Sequence, residues 1–368
     1  MSLTTKFLII VVVGSLVGVA AWAVYAQIGP DTGSTLVSEP EAVADVSTTT
    51  ISPTVSETTS HSTTTTVATT TTTVPSPGWV VIQGTGDVAV DPQYIPTLER
   101  EGWDHAWSGL DGLFLEDDLT VINLECVPSD LGSPLDKDFV FRCPTETLPS
   151  IRANGIDVAN LGNNHSGDFG KEALVDGRAN LISAGIGAVG AGSNADEAAE
   201  PALYELNGWT VAVIGFGGVA PSESWYATAD TPGMRNGDDT PSMVEAVAAA
   251  DEVADIVVVT IHWGMELDTA PRPDDIERAD AMIAAGADII FGHHPHRMQP
   301  LEMVNGAAVF WSLGNFVWPQ NSVASATTAV ARAVIAPDGT LEACLIPAYI
   351  ETHGHPVLTD EAPCAPPP

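Results

Sequence analysis

The chain has 368 residues, of which 48 are acidic and 12 are basic, so its formal net charge is −36. Such a surface repels the phosphates of nucleic acid, and we exclude nucleic acid as a partner. An anionic substrate can approach only if a bound cation reverses the local field, which directs attention to metal ligands.

The N-terminus begins with an apolar segment. Residues 7–26 carry no charge and are numerous enough to cross a bilayer as a helix. We predict an uncleaved membrane anchor over residues 1–26, and a signal peptide cleaved after Ala26 is the alternative. Lys6 precedes the apolar segment and marks the cytoplasmic side. Both hypotheses predict a folded part outside the cell, and the anchor hypothesis, which we favour, holds it there by a single pass through the cell membrane.

Residues 27–78 differ in composition from everything that follows. They are rich in Thr, Ser and Pro and contain almost no large apolar side chains. Such a segment cannot bury enough surface to offset the entropy of ordering the chain. We therefore predict a disordered stalk between the membrane and the folded domain.

From Trp79 onward, short β-branched runs alternate with alanine-rich helical stretches, which is the pattern of an α/β domain. We predict this domain over residues 79–350 and a C-terminal tail over residues 351–368. The Asn207-Gly208 pair between two apolar runs predicts a tight hairpin turn. Strands are predicted at 80–82, 120–122, 156–159, 210–215, 256–261, 288–291, 308–311 and 329–335, and helices at 107–115, 148–154, 169–184, 242–253 and 273–285.

Four cysteines are compatible with an oxidising compartment outside the cell. Their order in the chain favours two local disulfides, Cys126–Cys143 and Cys344–Cys364, although other pairings stay open. No C-x-x-C spacing occurs in the chain, so a cysteine-bound zinc ion is not expected.

Polar residues follow the ends of five predicted strands. Ligands of α/β proteins bind at the carboxyl edge of the sheet, where such residues meet. The residues are Asp87, Glu125, the run Asn163-Asn164-His165, His262 and the run His293-His294-Pro295-His296. Because packing alone does not explain metal-capable side chains at five strand ends, we predict one shared metal site.

The late histidines are suited to holding a metal. Pro295 stiffens the segment between His294 and His296, so that both imidazoles can be held still. Glu266 follows His262 by four residues. It either accepts a hydrogen bond from that histidine, binds the metal itself, or is a plain surface carboxylate.

Asn164 and His165 form an amide–imidazole pair, in which Asn164 offers an oxygen ligand and His165 supplies a proton. Asp168 either orients His165 through a hydrogen bond or caps the following helix. The candidate catalytic residues are His165, Asp168 and Glu266, and the candidate metal ligands are Asp87, Glu125, Asn164, His262, His294 and His296.

Imidazole, carboxylate and amide ligands together suit Mn²⁺, Fe²⁺ or Zn²⁺. One or two ions are expected. Two ions joined by a carboxylate would clamp a phosphate-like group and activate a water molecule.

Six ordered motifs resemble the CapA family of poly-γ-glutamate capsule proteins, over about residues 79–349. The motifs are Gly86-Asp87, Asn123-Leu124-Glu125, Asn163-Asn164-His165 with Asp168, His262-Trp263-Gly264 with Glu266, Gly292-His293-His294-Pro295-His296 and Ser312-Leu313-Gly314-Asn315-Phe316. The resemblance implies a four-layer α/β/β/α sandwich of the metallo-dependent phosphatase type. It also implies an association with the membrane machinery that makes or exports the polymer.

The resemblance implies roles for individual residues. Asp87 corresponds to the first metal-binding aspartate of phosphoesterases, and Glu125 stands where a bridging aspartate is expected. The remaining matches are Asn164, His165, His262, His294 and His296. One departure concerns Ala89, which stands where phosphoesterases have a histidine, so one metal position loses a ligand. Ser312 is expected to form a supporting turn rather than act as a nucleophile, since no paired base is evident.

Two functional hypotheses follow from the motifs and their resemblance. The first is a metal-dependent hydrolase or transferase that acts on an extracellular polymer, phosphoester or amide. The second is a non-catalytic subunit that binds the anionic capsule polymer or its synthase. Both hypotheses predict the membrane, through the N-terminal helix, and the polymer or its synthase subunits as partners.

Overall fold

The structure, a computed structural model, describes residues 76–359 and Cys364. The predicted anchor and residues 27–75 of the predicted stalk lie outside the described residues and stay predictions. Among the helices that the structure describes, none combines the length and the apolar character that a membrane span requires.

Strands and helices alternate along the described residues. The strands are β1 (Val80–Val88), β2 (Leu119–Leu124), β3 (Val158–Asn160), β4 (Gly187–Val189), β5 (Ala191–Gly192), β6 (Ala202–Leu206), β7 (Trp209–Gly217), β8 (Gly233–Met234), β9 (Ile256–His262), β10 (Ile289–His293), β11 (Leu301–Val304), β12 (Ala307–Phe310), β13 (Asn315–Val317), β14 (Thr327–Ile335), β15 (Leu341–Thr352) and β16 (His355–Leu358). The helices are α1 (Pro96–Glu101), α2 (Leu148–Ala153), α3 (Lys171–Ser183), α4 (Ala195–Ala199), α5 (Thr240–Asp251), α6 (Pro273–Ala284) and α7 (Val323–Ala326).

Two large sheets carry the domain. The first has the order β16-β15-β14-β1-β2-β3-β4, with β13 paired to β1, and the second has the order β11-β12-β10-β9-β7-β6. In both sheets the central strands run parallel, β1 to β2 and β3, and β7 to β9 and β10. Their carboxyl ends are therefore available for a shared site.

Three apolar cores separate the layers, and β9 shows why. Its alternate side chains point to opposite faces, as in any strand. Val258 packs between the two sheets, whereas Val257 and Val259 pack under α5 and α6. On the far side, α2 and α3 cover the outer face of the first sheet. The order is helices, sheet, sheet, helices, and the predicted α/β class is confirmed.

Most predicted elements agree with the structure to within about two residues, but the predicted helix at 107–115 is wrong. That segment contains short 3₁₀ helices, Ser108–Leu110 and Leu113–Leu115, instead of one α-helix. Asp111 and Gly112 between them have φ of 51° and 79°, and two consecutive left-handed residues cannot continue a right-handed helix.

The predicted C-terminal tail also needs correction. β15 continues to Thr352 and β16 pairs with it in antiparallel register, so the first sheet includes residues up to Leu358. The segment is short and has no helical periodicity, and its order comes from pairing with β15.

Both predicted disulfides are confirmed. Cys126 and Cys143 are bonded with their Cα atoms 5.5 Å apart, and Cys344 and Cys364 with theirs 5.8 Å apart. The first disulfide closes a loop over residues 127–142, called the disulfide loop below. This loop lies beside the candidate site.

Candidate metal centre

The candidate site lies where the carboxyl ends of the two sheets meet. Asp87 of β1 pairs in register with Asn123 of β2, and His262 of β9 pairs with His293 of β10. The Asn123 amide donates to Asp87 Oδ1 over 2.8 Å and lies 3.1 Å from His262 Nδ1. This amide connects the two sheets at the site.

Glu125 occupies the centre of the cluster. Its Oε1 lies 3.5 Å from His262 Nε2 and 3.9 Å from both His165 Nε2 and His296 Nε2. The side chain is fully buried, and in the described part of the chain neither carboxylate oxygen has a hydrogen-bond partner. A buried carboxylate without a partner is costly unless a cation lies beside it, so the position fits a metal ion.

Two groups of potential ligands share Glu125. Glu125, His262 and His294 form one group, and Asp87, Glu125 and His296 form the other, with the ligand atoms of each group within 4.8 Å of one another. Asn164 Oδ1 lies 2.8 Å from His262 Nε2, which adds an amide oxygen to the first group. The structure thus brings together all six predicted ligands, and their chemistry fits divalent ions.

Unusual backbone geometry aims the late histidines. His294 and His296 have φ of 94° and 51°, a left-handed conformation that is uncommon outside glycine and that often marks functional sites. His296 Nδ1 lies 3.0 Å from Asp87 Oδ2 and 2.8 Å from Asn315 Oδ1. The turn around Pro295 therefore brings both imidazoles to Asp87 and Glu125.

Gly86 allows Asp87 to reach this position. A Cβ atom at Gly86 would lie 2.2 Å from the carbonyl oxygen of Gly314. That same oxygen accepts a hydrogen bond from the backbone N–H of Asp87 over 2.9 Å. The Gly86-Asp87 motif thus reflects a close approach of two backbones that only glycine permits.

Burial and mutual repulsion determine the charges of the acids. Burial, and then the charge of Asp87, raise the pKa of Glu125 well above its ordinary value. Burial also acts on Asp87, but the hydrogen bond and charge of His296 outweigh it, so the pKa of Asp87 is lowered. Burial opposes protonation of His296, yet Glu125 and Asp87 raise its pKa to about 9. Two close carboxylates attract a positive charge, which a divalent ion supplies.

The other two histidine ligands are held neutral. Burial, and then the charge of neighbouring His294, lower the pKa of His262 well below its ordinary value. Burial lowers the pKa of His294 to about 4. A neutral imidazole is the form that binds a metal, so both are ready to bind one at neutral pH.

Asp168 orients His165. Its Oδ2 lies 2.7 Å from His165 Nδ1 and accepts the backbone N–H of Phe141 over 2.8 Å, while its Oδ1 accepts from Lys137 Nζ over 2.5 Å. Helix α3 begins after Gly170, and no side chain of the described residues caps it. Of the two predicted roles for Asp168, the structure therefore shows the orienting contact and not the cap.

Glu266 lies outside the buried cluster. It is exposed in the turn after β9 and lines a cavity together with His165 and His296. The two ring nitrogens of His262 face Asn123 and Asn164 instead. Glu266 is therefore not the hydrogen-bond acceptor of His262, and that predicted role is corrected.

Other residues around the site were not assigned a role from the sequence. Asn123 and Asn315 belong to motifs in which only other residues were given roles, so the sequence did indicate that both lie near the site. Lys137 and Phe141 lie in the disulfide loop, where no strand or helix pattern indicates that they reach the site. Trp318 packs its ring 4.7 Å from that of His296 and had no local signal either.

Two further predictions concern Ser312 and Ala89. Ser312 Oγ accepts the backbone N–H of Gly314 over 3.3 Å and lies in the turn before β13, as expected of a supporting residue. Ala89 is buried, and its backbone N–H donates to Val317 over 2.9 Å. Its methyl group offers no metal ligand.

Comparison with known families identifies the chain. The family described as Bacterial capsule synthesis protein PGA_cap matches residues 81–320. This chain belongs to that capsule-synthesis family. The matched region contains all six predicted ligands, and it confirms the resemblance to CapA proteins.

Two curated relatives of this capsule-synthesis protein are named CapA. The PGA biosynthesis protein CapA of Bacillus subtilis is 31% identical over 258 residues, which are 69% of this chain and 67% of the relative. The capsule biosynthesis protein CapA of Bacillus anthracis is 33% identical over 219 residues, which are 59% of this chain and 53% of the relative. The matches thus span between half and two thirds of these relatives.

Solved structures with distant similarity include two hydrolytic enzymes. The NAD nucleotidase NadN of Haemophilus influenzae has 12% identity and a TM-score of 0.45, over 74% of this chain and 50% of that chain. The sulfate thiohydrolase SoxB of Thermus thermophilus has 12% identity and a TM-score of 0.42, over 74% of this chain and 57% of that chain. Similarity at this level carries no inference about activity.

Proposed function

We propose that this capsule-synthesis protein is a metal-dependent hydrolase that acts outside the cell membrane on a phosphoester or amide of a polymer. The observation that carries the proposal is the environment of Glu125. Within the described residues this buried carboxylate has no hydrogen bond, and three imidazole nitrogens surround it within 3.9 Å, which makes it a strong site for a divalent cation. Structural side chains in a core are normally hydrogen-bonded.

The ligand groups support sites for two ions. Asp87, Glu125 and His296 would hold one ion, and Glu125, Asn164, His262 and His294 would hold the other. Mn²⁺, Fe²⁺ and Zn²⁺ suit this mixed donor set. Divalent ions bound there would supply positive charge that polarises a phosphoryl or carbonyl oxygen.

His165 is the proton-transfer residue of this proposal. Asp168 holds its Nδ1, so that Nε2 points toward Glu125. Burial lowers the pKa of His165, against the opposing effect of Asp168, and the ring is neutral at neutral pH. A neutral Nε2 can accept a proton from the attacking water and return it to the leaving group, whereas Asp168 keeps the tautomer and ring orientation constant.

The wider setting is part of the same proposal. The order of helices, sheet, sheet and helices, with ligands at the strand ends, supports a fold of the metallo-dependent phosphatase type. The apolar segment at residues 7–26 and the threonine-rich segment after it support a tether in the cell membrane with the domain outside. The capsule polymer or its synthase subunits are the proposed partners.

A second candidate function rests on Ala89. This position offers no ligand where phosphoesterases have a histidine, and the metal position of Asp87 therefore has one ligand fewer. A site weakened in this way would suit a non-catalytic subunit that binds the polymer or the synthase and keeps the metal for structure. In that case metal removal would change polymer binding and leave hydrolysis assays at zero.

Metal content and turnover test the proposal together. The full chain, purified without chelator, should contain at least one transition-metal ion per molecule by mass spectrometry. It should hydrolyse bis(p-nitrophenyl) phosphate or shorten poly-γ-glutamate. His262→Ala should lower both metal content and turnover, whereas His105→Ala, a histidine outside the cluster, should change neither. A folded wild-type chain without metal would refute both candidates, and a metal-loaded chain without turnover would favour the second.

A further inference from the structure

An aromatic cavity opens directly beside the metal centre. Its volume is about 520 Å³, and His165 and His296 form its inner end. The ring of Phe141 lies 4.3 Å from that of His165, and the ring of Trp318 lies 4.7 Å from that of His296. A molecule in the cavity would therefore reach from solvent to the metal ligands.

Four aromatic rings form one wall of this cavity. Phe141 lies edge-on to Trp318, with ring centres 5.3 Å apart, and edge-on to Tyr94 at 4.7 Å. Phe139 continues the wall at 6.4 Å from Tyr94 and is 60% exposed. An aromatic side chain this exposed contributes little to the core, so its place in a lined cavity points to a ligand.

The charges of the lining residues limit which ligands the cavity can bind. Among the lining residues that the structure describes, Glu266 is the only permanently charged side chain, and none is a lysine or arginine. The chain as a whole carries a formal charge of −36. Outside the inner end, where His296 lies, a run of carboxylates would meet repulsion, and only the group that reaches that end could be anionic.

The rim of the cavity supplies hydrogen-bonding groups. Gln93, Asn321 and His353 line it together with Glu266. In the described part of the chain, the side-chain amides of Gln93 and Asn321 make no hydrogen bond, so they are free to bind hydroxyl groups. Aromatic faces surrounded by amides and a carboxylate match a ring that is apolar on its faces and rich in hydroxyls at its edge.

We propose that this cavity is a subsite for a neutral sugar ring, so that the substrate is a glycan and not a free polyanion. In this arrangement the sugar lies against Phe139, Tyr94 and Trp318, with its hydroxyls toward Gln93, Asn321 and Glu266. The bond to be broken extends toward the metal centre. This last point rests on the proposed hydrolase function, whereas binding of the sugar does not.

Binding of neutral oligosaccharides by the full chain tests the subsite. Chitotetraose and cellotetraose are titrated by calorimetry into protein treated with EDTA, so that turnover plays no part. Phe139→Ala should weaken binding about tenfold, because a stacking face is lost. Leu115→Ala removes a side chain that is 64% exposed and lies outside the cavity lining, and it should leave binding within about twofold.

Poly-γ-glutamate is titrated in parallel. The subsite is supported if at least one neutral oligosaccharide binds saturably and Phe139→Ala weakens that binding while Leu115→Ala does not. It is overturned if neither oligosaccharide binds, if the two variants behave alike, or if poly-γ-glutamate binds more tightly and depends on Phe139. Sugar binding without turnover in the metal-loaded chain would reject the hydrolase and keep the subsite. Turnover without sugar binding would reject the subsite and keep the hydrolase.

Discussion

The two edges of the parallel strands use acidic residues in opposite ways. At the amino edge an aspartate precedes each of four strands, and its Oδ2 accepts a backbone N–H from the neighbouring strand over 2.8–3.0 Å. These residues are Asp118, Asp157, Asp255 and Asp288. At the carboxyl edge Glu125 has no such donor among residues 76–359 and faces imidazoles instead.

For Glu125 and the four aspartates, the partner of the acid, and not its burial, distinguishes the structural role from the proposed metal-binding role. An aspartate that accepts a hydrogen bond from a strand N–H satisfies that backbone donor, and its removal should lower the stability of the fold. A buried acid that lies near other potential ligands and accepts no hydrogen bond lowers the stability of the fold. Such an acid has a role only if it binds a ligand such as a metal ion. Substitutions at the two edges should therefore have effects of opposite sign.

The largest effect is expected for Glu125→Gln. The variant should lose a hundredfold or more in turnover, on the order of the loss of a metal ligand, together with bound metal. In EDTA it should unfold at a higher temperature than the wild type, since burial raises the pKa of Glu125 and ionising it costs free energy. Thermal unfolding and metal analysis check both parts. A lower melting temperature in EDTA would contradict the comparison.

The two disulfides allow a similar comparison, between a disulfide beside the candidate site and a second disulfide near the C-terminus. Replacing Cys126 and Cys143 by serine should lower turnover about tenfold, because the loop that carries Lys137 and Phe141 onto Asp168 loosens. Replacing Cys344 and Cys364 is the matched control. Both changes should destabilise the fold, by about 2–4 kcal/mol, but only the first should change turnover per folded molecule.

Asp168→Asn isolates the orientation of His165 from metal binding. Turnover should fall about tenfold, because the amide does not favour the protonated imidazole as a carboxylate does. Metal content should stay at the wild-type level, since Asp168 belongs to neither group of potential ligands. If bound metal falls together with turnover, Asp168 acts on the metal site and not only on the orientation of His165.

Asp118→Ala tests the amino edge. Asp118 accepts the N–H of Val81 over 2.8 Å and an amide hydrogen of Asn207 over 2.9 Å. Losing both acceptors should reduce the free energy of unfolding by about 1–3 kcal/mol in urea titrations. Metal content and turnover per folded molecule should not change, and a loss of either would mean that the two edges are not independent.

The smallest effect concerns Asp117, the neighbour of Asp118 in sequence. Burial, and then the charges of Asp157 and Asp118, raise the pKa of Asp117 to about 8. The folded state then binds a proton between about pH 4 and pH 8 that the unfolded state has lost, so stability falls as pH rises through this range.

Asp117→Asn should remove this fall. The difference in unfolding free energy between variant and wild type should grow from pH 4 to pH 8 and then level off. Urea titrations across this range measure the difference. A constant difference at all pH values would show that Asp117 is ionised throughout.

Prediction from sequence worked best where the signal was local. Asn207-Gly208 predicted the turn between β6 and β7, and the apolar run after Asp255 predicted β9. It failed at 107–115, where left-handed Asp111 and Gly112 interrupt the helix, and at β16, which exists by pairing with β15. The periodicity of apolar residues in the sequence indicates neither an isolated left-handed turn nor pairing with another strand.

The six candidate ligands were predictable for the same reason, since each lies at the carboxyl end of an apolar strand or shortly after it. The surrounding residues were not, because Lys137, Phe141 and Trp318 reach the site from loops whose course is determined by a disulfide and by packing. Glu266 is the opposite case, because its spacing from His262 suggested a residue of the site but its side chain is exposed to solvent.

The sequence by itself determined the α/β class, the acidic surface and which side chains could bind a metal, and it favoured the two local disulfides that the structure shows. These follow from composition and from periods of a few residues, which depend on local geometry. Only the tertiary structure decided that Asp168 holds His165, that four aromatic rings form one wall, and that no donor in the described part of the chain reaches the Glu125 carboxylate. Each of these depends on contacts between segments far apart in the chain, whose relative positions are determined by how the two sheets pack.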